Sequence, residues 1–283
     1  MLSRAPFTAA SLVALAVSAA SCSRREAAQA PPPPVPVVTF TATDFAFQGP
    51  DTIPSGVVTL RLVNRGPSLH HIQLIQLGAG KTFDSLMAAM RNPGPPPAWM
   101  RFVAGPNTPA PGDSSALTET LAPGSYALIC VIPNERGVPH IAMGMARPLV
   151  VAAPAAGAAA PVEPTAHVEV TLSDYDFALS APLAAGTRTL KVTNAGPQPH
   201  EFFIARLDSG VTAQQLVDWV HGGMQGRPPA LPLGGTTAFA AGDHTFVTLT
   251  LTPGDYALLC FLPDVGDGRE HVAHGMVKQI RVS

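Results

Sequence analysis

Short runs of alternating apolar and polar residues recur along most of this chain. VTLRLVN (58–64) and RTLKVTN (188–194) alternate in this way, carry β-branched residues and end in Asn-x-Gly-Pro turns, the pattern of half-buried strands. HHIQLIQL (70–77) and HEFFIARL (200–207) predict the strands that follow. PGSYALICVIP (123–133) and PGDYALLCFLP (253–263) start at a Pro-Gly turn and run into an apolar strand, while MARPLVVA (145–152) and MVKQIRVS (276–283) predict closing strands. Helical spacing appears only in TFDSLMAAMRN (82–92) and TAQQLVDWVHGG (212–223), each with a Thr placed to cap the first turn. Many short strands separated by turn signals favour an all-β Greek-key sandwich.

These elements come in pairs because the chain repeats itself. TATDFAF (41–47) matches TLSDYDF (171–177), and LAPGSYALIC (121–130) matches LTPGDYALLC (251–260). The offset is 130 residues at Asp44/Asp174, Asn64/Asn194, His70/His200, Tyr126/Tyr256 and Cys130/Cys260, and 131 at His140/His271 and Met145/Met276. A constant offset over such a length marks two copies of one unit. The expected organisation is a unit at 37–152, an Ala/Pro-rich linker at 153–166 and a second unit at 167–283, each sandwich carrying one short helix.

Composition adds a compartment. Apolar residues make up 46% of the 283 and charged residues 13%, so two cores can be filled. A net charge of -2 offers no attraction to nucleic acid, and none is expected as a partner. Residues 1–22 show Arg4, an apolar run and small residues before Cys22, the layout of a signal segment; 23–36 form a polar and then Pro-rich spacer. SAASC resembles a bacterial lipobox, which implies lipidation of Cys22 and a membrane anchor, although Ala19 stands where Leu is usual; secretory cleavage near AAQA is the alternative. Either way the protein is expected outside the cytoplasm, in the periplasm or at the cell surface, where free thiols tend to pair. A Cys130–Cys260 disulfide is therefore one reading of the remaining cysteines, and two buried structural thiols another.

The repeat points elsewhere. In each unit a His opens a strand, a Cys ends a strand sixty residues later, and the next loop ends in His-x4-Met. A thiolate, two imidazoles and a weak thioether are the donors of a blue-copper electron-transfer site. The Asn-x-Gly-x-x-x-His, Pro-Gly-x-Tyr-x-x-x-Cys and His-x4-Met stretches together resemble the cupredoxins over nearly all of both units. The resemblance implies eight-stranded Greek-key sandwiches. It also implies one copper per unit, held by His70, Cys130, His140 and Met145 in the first and by His200, Cys260, His271 and Met276 in the second. The chain departs from small cupredoxins in spacing, with nine residues between Cys130 and His140 and ten between Cys260 and His271.

Met143 and His274 are further donors in the two loops. His274 is an alternative to His271 as ligand, or a group just outside the site. Tyr126 and Tyr256 are expected to fill the sandwich on the same face as the cysteines, and Phe45, Phe47, Tyr175 and Phe177 to be core. His71, next to His70, is expected to point away from the site, exposed or against the other unit. The expected role is an electron carrier serving partner proteins of a respiratory chain, with copper delivery or storage as the alternative and a two-domain multicopper reductase or oxidase as a more remote one. An enzyme is not expected, because Ile129 and Leu259 rather than His precede the two cysteines and no His-x-His occurs. The oligomeric state is left open.

Overall fold

The computed structural model describes residues 1–2, 31–92, 94–157 and 159–283. Cys22 and nearly all of the signal segment lie outside these residues, so lipidation stays an expectation. No helix among the described residues is long and apolar enough to cross a membrane.

The first unit runs β1 (Val37–Thr43), β2 (Ala46–Gln48), β3 (Thr52–Pro54), β4 (Gly56–Asn64), β5 (Gln73–Leu77), α1 (Phe83–Ala89), β6 (Met100–Val103), β7 (Ser114–Leu121), β8 (Gly124–Ile129) and β9 (Ala146–Ala152). The second runs β10 (Val168–Ser173), β11 (Asp176–Leu179), β12 (Gly186–Asn194), β13 (His200–Leu207), α2 (Ala213–His221), β14 (Ala230–Phe239), β15 (His244–Leu251), β16 (Gly254–Leu259) and β17 (Val277–Val282). Alternation becomes burial as expected: Val58, Leu60, Leu62 and Asn64 of β4 all point inward. Both helices start at the anticipated threonine. The Thr82 and Thr212 hydroxyls accept from the backbone of Ser85 and Gln215, closing a capping box that satisfies otherwise orphaned donors.

Each unit is a sandwich of two sheets. In the first, β2-β1-β4-β7 faces β3-β9-β8-β5-β6; in the second, β11-β10-β12-β15 faces β14-β13-β16-β17. Phe40, Leu60, Leu74, Tyr126, Cys130 and Met145 share the first core, and Phe177, Leu190, Phe202, Tyr256, Cys260 and Met276 the second. Tyr126 and Tyr256 are buried beside the cysteines, as anticipated, and each hydroxyl donates to the carbonyl four residues upstream, Ala122 or Thr252, at 2.8 Å. This is the tyrosine corner of Greek-key sandwiches.

The two sandwiches are joined by more than the linker. β7 pairs with β15 at Thr118–Phe246 and Leu117–Val247, which makes one eight-stranded sheet through both units. Backbone bonds from Thr237 to Gly105 and from Asn107 to Gly235 add a second seam. Residues Pro32–Ser283 form one compact unit. Gly105 and Gly235 are equivalent positions with little space. A Cβ at Gly105 would lie 2.0 Å from the Ile72 oxygen, and one at Gly235 1.8 Å from the Phe202 oxygen.

Candidate metal centre

The end of β4 sets up the first site. Asn64 is buried and clamps the turn after it, accepting from the Gly66 amide at 3.0 Å and donating to the Ser68 carbonyl at 2.9 Å. Asn194 does the same with Gly196 and Gln198. The turn delivers His70, or His200 at the start of β13, into the core with no exposure. A carboxylate then fixes each ring: Asp44 Oδ1 lies 2.6 Å from His70 Nε2, and Asp174 Oδ1 2.6 Å from His200 Nε2. With Nε2–H donated outward, Nδ1 keeps its lone pair and faces inward, the arrangement in which a carboxylate orients a metal-binding imidazole. The glycines are required for this contact. A Cβ on Gly66 would lie 2.5 Å from Asp44 Oδ1, and one on Gly196 2.6 Å from His200 Nε2.

The long excursions after the cysteines fold back. Residues 131–139 close on themselves through Asn134 N to Val138 O and His140 N to Ile132 O; residues 261–270 do so through Asp264 N to Arg269 O and His271 N to Leu262 O. A 3₁₀ turn then carries each loop histidine, His140–Met143 and His271–His274. Gly144 (φ 99°) and Gly275 (φ 96°) end these turns in the left-handed region that glycine enters without strain. Met145 and Met276 follow, fully buried.

His70, Cys130 and His140 thus bring three ligand atoms within 4.8 Å of one another, and so do His200, Cys260 and His271. Cys130 Sγ is 3.5 Å from His140 Nδ1, and Cys260 Sγ 3.3 Å from His271 Nδ1. His271 Nδ1 also lies 3.1 Å from His200 Nδ1, a pair that can share only one proton. Both cysteines are free, so the disulfide reading does not hold. His274 lies outside this set. It stacks on Tyr175 with centroids 4.7 Å apart and meets Asp267 at 3.1 Å. Met143 is also outside, half-exposed, its sulfur accepting from Asn134 at 3.3 Å.

Electrostatics suits a cation. Burial holds all four site histidines below their ordinary value, His140 and His271 at about 4, so the imidazoles are neutral and free to ligate. Burial also pushes the Cys130 thiol up to about 12, and raises Cys260 with a contribution from Glu201. A thiolate in this position needs a positive charge beside it. His70 Nδ1 is buried and unpaired, and so is His271 Nε2. A sulfur, two imidazoles and a buried thioether, with an orphaned inward nitrogen at His70, fit copper.

Several residues beside the sites were not singled out by sequence reasoning. Asp44 and Asp174 stand in the repeated Thr-Asp-Phe and Ser-Asp-Tyr stretches, and that pairing was the available signal. Phe45 and Tyr175, expected in the core from their alternation, are not buried there. They sit in the turn after the first strand, half-buried, and cover the loop histidines at 4.7 Å from His140 and 5.3 Å from His271. Phe47 and Phe177 are core. His71 does point away from the site, into the boundary between the units. Its Nε2 accepts from the Val131 amide at 3.1 Å. Its counterpart Glu201 accepts from the Phe261 amide at 2.6 Å and from Asn107 of the first unit at 3.2 Å. Both line a cavity of about 400 Å³ between the units, with Trp219 and Phe261. A neighbouring cleft of about 630 Å³ reaches His140.

No family model matches the chain, and no curated protein does. Solved structures do. Dithionite-reduced auracyanin from the photosynthetic bacterium Roseiflexus castenholzii matches with 26% identity over 41% of this chain and 96% of its own (TM-score 0.31). A copper-containing nitrite reductase from Thermus scotoductus matches with 13% identity over 87% of this chain and 61% of its own (TM-score 0.24). A blue copper oxidase from Nitrosomonas europaea matches with 16% identity over 88% of this chain and 86% of its own (TM-score 0.26). The expectation that the chain is not an enzyme is withdrawn: proteins matched over most of its length include a copper-containing nitrite reductase and a blue copper oxidase. Ile129 and Leu259 bear on only one place for a further copper and say nothing of the clefts between the units.

Proposed function

We propose that each unit holds one copper ion, through His70, Cys130, His140 and Met145 in the first and His200, Cys260, His271 and Met276 in the second, and that the chain passes single electrons through these sites. The observation that carries this reading is the doubled convergence of two neutral imidazoles and one thiol in a dry core, with a buried methionine following each loop histidine. Copper in such a donor set supplies a one-electron couple. The protein supplies the frame. Asp44 and Asp174 hold the strand histidines in one tautomer, the 3₁₀ turns fix the loop histidines, and Phe45 and Tyr175 keep water from them. A site that is already closed and packed has little to reorganise when an electron arrives.

Copper-loaded protein should carry two copper ions per chain and an intense visible sulfur-to-copper charge-transfer band. Cys130→Ser and Cys260→Ser should each remove part of that band, and the double variant all of it. A band that survives the double variant overturns the assignment. Tight Cu(I) binding without colour would favour delivery or storage. A further copper with a type 2 EPR signal would extend the reading to a copper enzyme.

We infer from residues 1–36 that the chain is exported and anchored through Cys22, where it would exchange electrons with respiratory partners. Cys22→Ser should release the protein from the membrane fraction, and mass spectrometry of the mature N-terminus should find a diacylated cysteine.

A further inference from the structure

The two sites offer the same four donors but differ in what surrounds them. The loop position four residues after the cysteine is Asn134 in the first unit and Asp264 in the second. Both side chains organise the excursion in the same way. Asn134 Oδ1 accepts from the amides of Arg136 and Val138, and Asp264 Oδ1 from those of Gly266 and Asp267. The second atom of the group differs. Asn134 uses an amide nitrogen, turned to the Met143 sulfur. Asp264 uses a carboxylate oxygen, 3.9 Å from the buried, unpaired His271 Nε2.

Two neighbouring exchanges hold that carboxylate in place. Tyr175, where the first unit has Phe45, donates its hydroxyl to Asp264 Oδ2 at 2.6 Å. Gln198, where the first unit has Ser68, donates to Asp264 at 2.8 Å and to Asp174 at 3.0 Å. Tyrosine, glutamine and two backbone amides all donate to Asp264, a set of four donors that suits a carboxylate, which only accepts. Asp44 and Asp174 are common to both units, so they do not separate the sites. The difference that faces a ligand ring is a negative charge against the loop histidine of the second unit; Glu201, where the first unit has His71, is a second carboxyl on the Cys260 side and acts in the same direction.

We propose that this charge makes the chain a directional pair: the second site favours oxidised copper, the first favours reduced copper, and an electron given to the chain settles on the first. The proposal rests on the copper reading above. A carboxylate near a ligand ring stabilises the more positive oxidation state and lowers the reduction potential, and in a buried site it is poorly screened. The first site has instead an apolar cover of Phe45 and a neutral Asn134–Met143 contact, and its loop histidine lines the cleft between the units.

The test is a spectroelectrochemical titration of the full copper-loaded chain. Two one-electron steps are expected, separated by at least roughly tenfold in the equilibrium between the sites, which is 59 mV for one electron. Cys260→Ser should leave only the higher step and Cys130→Ser only the lower. Asp264→Asn should raise the lower step, and the reciprocal Asn134→Asp should lower the higher one, so that either variant narrows the gap. Should one fail to fold, the other still decides. A charge-transfer band in both single-cysteine variants with coincident potentials, or a gap indifferent to both exchanges, overturns the directional pair and leaves the copper reading standing. Absence of the band in both removes the copper reading and the pair with it.

Discussion

Set side by side, the two metal centres separate two kinds of residue. Asp44 and Asp174, Gly66 and Gly196, Asn64 and Asn194, and the eight donors occupy the same places in both units, and the Asp–His and Asn–Gly contacts recur. One step further out the units diverge: Phe45 against Tyr175, Ser68 against Gln198, Asn134 against Asp264, Met143 against His274, His71 against Glu201. What must touch or aim a ligand is fixed by geometry, because a Cβ in the wrong place meets the Asp–His pair at under 3 Å. What only colours the electrostatics is free to differ as long as the loop keeps its turn. Duplication thus preserves the frame while the environment of each metal is adjusted separately.

The largest effects that test this comparison are at the paired glycines. Gly105→Ala should cost about 1–3 kcal/mol from overpacking against the Ile72 carbonyl. Gly235→Ala should cost more, since Gly235 also has φ 109°, which adds about 1–3 kcal/mol of backbone strain. Urea unfolding of the two variants checks the order, and equal losses would mean that the backbone at Gly235 adds no strain of its own. Next come the carboxylates that orient the strand histidines. Asp44→Ala and Asp174→Ala should each weaken copper binding at their own site by roughly 10- to 100-fold in a chelator competition. If only one of them does so, the frame is not common to both units.

Smaller differences follow at the tyrosine corners. Tyr126→Phe should cost about 0.5–1.5 kcal/mol for one lost hydrogen bond. Tyr256→Phe should cost somewhat more, because the Tyr256 oxygen also accepts from the Thr252 amide at 3.0 Å, which the variant strands. Thermal unfolding reads both. A pH dependence of stability is expected as well, carried by a buried carboxyl in each unit; Glu201 in the second is raised to about 7 by burial. Burial raises the Glu119 carboxyl to about 8, while Leu249 occupies the matching place in the second unit. The folded protein then holds a proton that the unfolded chain releases at the ordinary carboxylate value. The stability due to this group is full at low pH and is lost progressively as pH rises towards about 8. Glu119→Gln should reduce that decline in stability measured from pH 5 to 8 and leave the part due to Glu201.

Much of this was legible in the chain itself, and the reasons are local. Thr82 and Thr212 announce their helices because a hydroxyl ahead of an amphipathic run has one obvious use. The donors stood out because the same residue types recur at one offset. The outer residues were harder to read, because a strand pattern records which face a side chain takes but not what lies opposite. Phe45 and Tyr175 follow the alternation of core positions, yet the chain turns at them and lays the rings on a histidine. Asp264 reads as a loop residue until its second oxygen is seen near His271. His71 could be placed on the far side of the site from strand periodicity, but the residue that would meet it there, the amide of Val131, depends on how the long excursion leaves the cysteine.

The strand pair Thr118–Phe246 and Leu117–Val247 has a kinetic consequence. Two redox modules on a bare Ala/Pro tether would have to find each other by diffusion, at a rate set by the tether's length. Here the hydrogen bonds of a shared sheet hold them at constant separation. On the proposed copper reading, exchange between the metals would therefore be a first-order event, insensitive to dilution. A protease that cuts the 153–166 segment should leave it unchanged, with the two fragments still travelling together through a sizing column.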